Sequence, residues 1–409
     1  MRRVVITGMG IVSPLGNTPE LFFANLMAGK SGIRRLQTDF AERLDVKIAA
    51  PADFDPLQHF TKHRASGLDR VSQLSLHAAN QALADAQLDL AQTDKSRIGV
   101  YLGTGMGGAA ASEEGYIRLY RDNAERLKPF TVLMAMNSAA ASQISLEHAL
   151  TGPNLTYSTA CSSSSVAIGE AFRQIRHGYA DKMLAGGSEA LLTYATIRAW
   201  EALRTLAKED PNDPGASCKP FSKDRCGLVL GEGASMILME DLESAQARGA
   251  KIYAELSGYG CANDCTHITS PTVEGQSRVM RAALESSNLK AEDIGYLNAH
   301  GTATALNDTI ETAAIKAVFG EHAYKLAICS TKSAHGHLMG AAGAVEFIAA
   351  LMALEQQAVP PTINLKNPDP ECDLDYVPNL GRANVPLRHV MSNSFAFGGT
   401  GGVLIASKL

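Results

Sequence analysis

The sequence predicts an α/β protein built on a largely parallel or mixed sheet, and three features carry that expectation. Short β-branched runs alternate with longer Ala-rich segments, which is the rhythm of strands joined by helices. Hydrophobic residues make up 45% of the 409 residues and charged residues 19%, enough apolar material for a real core and too much for a disordered chain. The 36 glycines, with abundant alanine, suit tight strand-to-helix turns and closely packed helices.

Taken in order, Arg3–Thr7 (RVVIT) predicts a buried strand and Leu21–Ala28 a helix. Ser72–Ala86 has apolar positions at helical spacing, and Arg97–Leu102 returns to a strand pattern. Lys128–Leu150 predicts a loop running into a helix. Asn154–Ser158 is strand-like and leads into a small-residue helix after Cys161.

The second half echoes the first. Ile98–Thr104 is matched by Ile294–Asn298, and Ser158–Cys161 by Ser330–Ser333, while Met183–Gly187 is matched by the strand-and-glycine ending at Met391–Gly399. A repeat of roughly 200 residues predicts two similar halves packed face to face with a site between them. The boundary falls near residue 250, giving halves 1–250 and 251–409.

Composition also narrows the function. Lys+Arg is 37 and Asp+Glu 42, a formal charge of −5, which argues against nucleic-acid binding. The N-terminus lacks a signal-peptide pattern and no uninterrupted apolar run is long enough for a membrane span, so a cytoplasmic protein is expected. Seven scattered cysteines fit reduced thiols better than a disulfide framework.

Cys161 stands at a predicted strand–turn–helix junction, where the helix dipole and unpaired N–H groups favour thiolate, so a nucleophile is expected over a buried structural cysteine. Two clusters offer partners: Asn298–Thr304 around His300, and Ser330–Gly343 with Lys332, His335 and His337. One Cys with two His is compatible with a hydrolase, an acyltransferase or a metal site. A structural zinc at Cys261, Cys265 and His267 is disfavoured, because no second ligand pair is suitably spaced. Gly103–Gly108 lacks the acidic ribose ligand of a dinucleotide loop and is read as close backbone packing. Asn393–Gly402 suits either an oxyanion-stabilising loop or a plain turn between two C-terminal strands.

Together these motifs resemble the β-ketoacyl-acyl-carrier-protein synthases, the type II elongating ketosynthases of the thiolase superfamily. The similarity also takes in Val4–Gly10, Pro220-Phe221, Leu230–Ala234, Pro360–Asn364 and Cys372–Pro378, so it spans almost the whole chain. It implies a thiolase-like duplicated five-layer α/β/α/β/α fold, a dimer, and decarboxylative condensation of an acyl-enzyme with a malonyl carrier without a redox cofactor or metal. By the same resemblance, Cys161 is the acyl acceptor, His300 and His337 are the catalytic histidines, and Lys332 is the family lysine. Asp308, Glu311 and Glu346 are its supporting acids. The backbone N–H groups of Cys161 and Phe397 would form the oxyanion hole. Thr302, Thr304 and Thr269 would line the pantetheine channel, with Phe395 and Met106 at the substrate.

Departures at Ser162–Ser165, Met106 and His335 point to substrate choice, leaving room for a specialised polyene or polyketide pathway. An acyl carrier protein would dock on basic residues such as Lys62, Arg64, Arg126, Lys128 and Lys208. The dimer would be homo- or heteromeric, the latter with a ketosynthase-like chain-length factor. Two other readings compete. A degradative thiolase needs a second cysteine that Asn393–Thr400 lacks, and a non-catalytic chain-length partner predicts loss of Cys161 or a histidine, all of which are present.

Overall fold

The computed structural model describes residues 1–409. Ten strands form the main sheet. The first five are β1 (Val4–Val12), β2 (Ile98–Gly103), β3 (Asn154–Tyr157), β4 (Lys182–Glu189) and β5 (Gly233–Asp241). The second five are β6 (Ala254–Asn263), β7 (Tyr296–Asn298), β8 (Ala327–Cys329), β9 (His389–Phe395) and β10 (Thr400–Ser407). Their order is β8-β7-β9-β10-β6-β1-β5-β4-β2-β3.

Each half therefore has the same strand order, with every strand of the first half matched by the one five places later. The pairing senses agree too. β2 is parallel to β3 and β4, while β5 is antiparallel to β4 and β1. In the second half β7 is parallel to β8 and β9, while β10 is antiparallel to β9 and β6. The halves meet where β1 pairs antiparallel with β6 at Val5–Glu255 and Ile6–Ala254. The echoes between Ile98–Thr104 and Ile294–Asn298, and between Met183–Gly187 and Met391–Gly399, fall on matched strands.

Six helices complete the repeat: α1 (Arg70–Asp85), α2 (Ala139–His148), α3 (Ser163–Arg176), α4 (Val273–Ser287), α5 (Ala305–Phe319) and α6 (Ala342–Gln356). α3 and α6 pack on each other between the strand groups. α1 with α2, and α4 with α5, cover the outer faces, giving five layers. This burial pattern is written in composition. α4 is apolar on one face only, whereas every residue of α6 from Ala342 to Leu354 is buried. Met339–Gln356 is long and apolar enough to cross a membrane by length and composition alone, but 89% of it is buried within the fold. It is a core helix.

Element ends follow local chemistry. The N-terminal strand runs past Thr7 to Val12, and the first helix spans Pro19–Met27, capped by Thr18 Oγ1 accepting from the Leu21 amide at 3.2 Å. Lys128–Leu150 contains two helices, Thr131–Ala135 and then α2. Gly103 ends β2 against the nucleophile's helix, where a Cβ would lie 2.3 Å from the Ser163 carbonyl carbon. That contact justifies reading Gly103–Gly108 as close packing.

Candidate active site

Cys161 lies in a tight turn between β3 and α3. Ala160 adopts φ +49°, a conformation that costs a non-glycine residue about 1–2 kcal/mol. Ser163 stabilises the turn: its hydroxyl accepts from the Thr159 amide at 2.9 Å and donates to the Ala160 carbonyl at 2.7 Å. The second half repeats the strained turn at Met339, φ +47°, just before α6. Gly340 there occupies the place of Cys161. The chemical match for the nucleophile's turn is thus Met339–Ala341, not Ser330–Ser333, because the second half inserts a short helix, Lys332–His335, after β8.

His300 follows β7. Its amide and that of Gly301 each donate to Glu311 at 2.8 Å, and Asn393 Nδ2 donates to the same carboxylate at 3.2 Å. Lys332 Nζ donates to the His300 carbonyl at 2.6 Å and lies 3.3 Å from His300 Nδ1. An ammonium only donates, so Nδ1 is the acceptor and Nε2 carries the proton. His337 is positioned through its backbone, donating to Val229 O at 2.6 Å and accepting from Gly231 N at 2.9 Å. Its Nδ1 accepts from the Met339 amide at 3.2 Å, which leaves Nε2–H buried with no partner. The two rings stand edge to face with centroids 5.5 Å apart.

One ligating atom from each of Cys161, His300 and His337 lies within 4.8 Å of the others. Three such atoms would suit a soft divalent cation by donor type, but the Lys332 ammonium beside His300 opposes a second cation there. At the other cysteine cluster, His267 Nδ1 is already occupied by the amides of Thr269 and Ser270 at 3.1 and 3.2 Å. Cys261 is half-buried and Cys265 exposed.

Burial pushes both imidazoles well below the usual histidine range, reinforced by the Lys332 charge, so both are neutral donors. Burial also pushes the Cys161 thiol up to about 12, opposed by Lys332 and by the Phe397 amide directed at the sulfur. Desolvation thus opposes the helix-terminus preference for a thiolate. Iodoacetamide alkylation of Cys161 is expected to be slow at neutral pH and to rise about tenfold per pH unit beyond pH 9. A plateau reached below pH 8 would contradict this.

The supporting acids are all buried. Lys332 Nζ pairs with Glu346 Oε1 at 2.5 Å, although neither Glu346 oxygen has a well-aligned hydrogen bond, so the contact is mainly ionic. Burial pushes Glu346 up to about 7, opposed by Lys332. Asp308, also raised by burial to about 6, accepts from the Phe221 amide at 2.9 Å.

A cavity of about 370 Å³ joins Cys161, His300 and His337 to the surface, and Thr269, Thr302, Thr304, Phe395 and Phe397 line it. Arg204, Ile268 and Leu306 also line it, the last two 71% and 46% exposed, which marks the mouth. Met106 does not reach this cavity: its side chain is 49% exposed on the outer surface of the chain. Its amide instead donates to Glu189 at 3.2 Å. Ser162–Ser165 are fully buried and do not line this cavity. Ser164 Oγ accepts from Ala344 N at 2.9 Å and Ser165 Oγ meets Ser394 Oγ at 2.8 Å, so this run joins α3 to α6 and β9. His335 is likewise buried, outside the cavity.

Sequence reasoning missed Glu189 and Arg204. Glu189 accepts from the amides of Gly105 at 2.6 Å and Gly340 at 2.8 Å, as Glu311 does for His300 and Gly301. Its signal was a lone carboxylate ending an otherwise small and apolar run, Met183–Ser188.

Residues 1–245 match the family described as beta-ketoacyl synthase, N-terminal domain, and 253–366 match beta-ketoacyl synthase, C-terminal domain. The chain is 45% identical over 403 residues to nodulation protein E of Rhizobium meliloti (strain 1021), covering 98% of both. It is 42% identical over 410 residues to 3-oxoacyl-[acyl-carrier-protein] synthase 2 of Staphylococcus aureus (strain COL), covering 100% of this chain and 98% of that one. A beta-ketoacyl synthase from Burkholderia phymatum STM815 superposes with TM-score 0.92 at 35% identity over the full length of both. A type II polyketide ketosynthase, solved with its acyl-carrier protein and a hexaketide, gives TM-score 0.91 at 34% identity over 100% of this chain and 99% of that one. Set beside the buried Cys–His–His centre, these similarities show that the chain belongs to the β-ketoacyl synthase family.

Proposed function

We propose that the chain condenses a Cys161-bound acyl group with a malonyl-acyl-carrier protein, yielding a 3-oxoacyl carrier and CO2. The observation that carries this reading is the unpartnered Nε2–H of His337, neutral and buried within reach of Cys161 and His300. In the first half-reaction Cys161 Sγ attacks the carrier thioester, and the carrier thiol leaves with the cysteine's proton. Backbone amides of Cys161 and Phe397 hold the tetrahedral oxyanion. In the second, the malonyl carboxylate leaves as CO2, and its bonding electrons form an enolate whose oxygen accepts from Nε2–H of His300 and His337. The enolate carbon then attacks the acyl carbon and releases Cys161 as a thiolate, which takes up one proton from solvent. Lys332 and Glu311 position His300, and Glu346 offsets the buried Lys332 charge. No step needs a redox cofactor or metal.

With its full complement of reacting residues the chain reads as a catalytic subunit, not as a non-catalytic chain-length partner. Leu155 on the edge strand β3 is exposed, as are the apolar side chains of Met106, Phe130, Val132, Leu133 and Met136, which suits a dimer face at this edge. The partner is a second copy or a chain-length factor. The halves 1–250 and 251–409 act as one unit, since Cys161 comes from the first and both histidines from the second. An acidic carrier would meet Arg204, Ile268 and Leu306 at the cavity mouth, with Lys62, Arg126 and Lys208 as further exposed cations. Arg64 and Lys128 are already paired with Glu147 and Glu114. Unpaired cysteines fit a cytoplasmic setting.

CO2 release from malonyl carrier tests the role of the histidines. His337→Ala is expected to lower its rate roughly 10²–10³-fold, the loss typical of one oxyanion donor. A rate within threefold of wild type would overturn the assignment.

A further inference from the structure

His335 takes no part in the chemistry above, yet it is fully buried and makes two well-formed hydrogen bonds. Its Nδ1 lies 2.8 Å from the Gly336 carbonyl, which only accepts, so Nδ1 carries the proton. Nε2 then accepts from Thr331 Oγ1 at 2.9 Å. Thr331 Oγ1 in turn accepts from Asn298 Nδ2 at 3.3 Å. This relay touches three segments at telling points. Asn298 lies two residues before His300, Thr331 immediately precedes Lys332, and Gly336 immediately precedes His337.

The Gly336 contact matters most. Gly336 sits at φ +70°, ψ −170°, a region essentially confined to glycine, where the following peptide has little intrinsic preference for one orientation. Its carbonyl is held by His335, and the N–H of the same peptide unit is the His337 amide that donates to Val229 at 2.6 Å. Rotation of that peptide would break both bonds and carry the His337 ring with it.

We propose that His335 is a positioning residue that fixes the 336–337 peptide, and so aims His337, while bracing it through Thr331 and Asn298 against the strand leading to His300. The proposal rests on the reading of His300 and His337 as enolate donors. An apolar side chain at position 335 would leave the Gly336 carbonyl buried without a donor and the Thr331 hydroxyl proton without an acceptor.

The test separates the two half-reactions. Acylation of Cys161 and CO2 release from malonyl carrier are measured for wild type, His335→Leu, His335→Asn, His335→Gln and His337→Ala. His335→Leu is expected to slow CO2 release at least roughly tenfold at saturating malonyl carrier, with KM within about twofold and acylation within about twofold. His335→Asn, whose amide can sit near the Nδ1 position, is expected to recover more CO2 release than His335→Gln, which reaches toward Thr331 instead. The proposal is overturned if His335→Leu keeps CO2 release within twofold of wild type, or loses both half-reactions by one common factor. If His335→Leu fails to fold, the Asn–Gln comparison decides, and equal rates overturn the proposal. Normal CO2 release by His337→Ala would instead sink the underlying reading of the histidines.

Discussion

Cys161→Ala is expected to abolish condensation, with a loss of at least roughly 10⁴-fold, while the protein stays folded. The sulfur is the only nucleophile at the inner end of the cavity, and no neighbouring side chain can form the acyl thioester in its place. The nearby serines cannot substitute, because their buried hydroxyls are engaged with the Ala160 carbonyl, the Ala344 amide of α6 and Ser394 of β9. Losing one buried sulfur costs about 1 kcal/mol of stability, so thermal unfolding should move by only a few degrees. CO2 release from malonyl carrier depends on the histidines and should persist in Cys161→Ala. Steady-state condensation, CO2 release and a thermal melt check the three parts of this prediction together.

Lys332→Met is expected to have the largest effect on stability, about 3–5 kcal/mol, because it strands Glu346 as an uncompensated buried carboxylate. Activity should fall as well, since Lys332 orders the His300 tautomer. The loss has a definite pH dependence. Burial raises the folded-state pKa of Glu346, to about 7 even with Lys332 present, and removal of the ammonium raises it further. Between the unfolded carboxyl value and that raised value the folded state binds more protons, so stability falls as pH rises through this window. Lys332→Met should therefore be least impaired near pH 5 and most impaired at pH 8. Lys332→Met combined with Glu346→Leu should regain most of the stability but not the activity. Urea unfolding at the two pH values measures the first effect, and an equal deficit at both would contradict it.

Much of this centre was legible in the chain because its key residues occur at abrupt changes of local pattern. Cys161 interrupts a strand-to-helix transition, and His300 and His337 each sit beside a glycine where a strand or turn ends. The duplication was legible in strand sequences, since β2 and β7 must satisfy the same buried parallel environment, and β4 and β9 the same buried place between a parallel and an antiparallel neighbour. What was not legible depended on contacts between distant segments. Glu189 bridges the two halves because Gly340, from the other half, presents its amide 2.8 Å away. Met106 lies outside the cavity described above, at a place set by the loop after β2. The opposing effect of burial on the Cys161 thiol was not legible for a similar reason. A helix terminus is a local feature, whereas the desolvation that raises Cys161 comes from the entire fold closing over it.

Mass spectrometry of the protein after incubation with acyl carrier, then with malonyl carrier, tests the central claim most directly. The account predicts an acyl adduct on Cys161 that disappears as 3-oxoacyl carrier and CO2 form in equal amounts, with no adduct in Cys161→Ala. A Cys161 that stays unmodified by every acyl carrier offered would contradict the account, as would condensation that continues in Cys161→Ala.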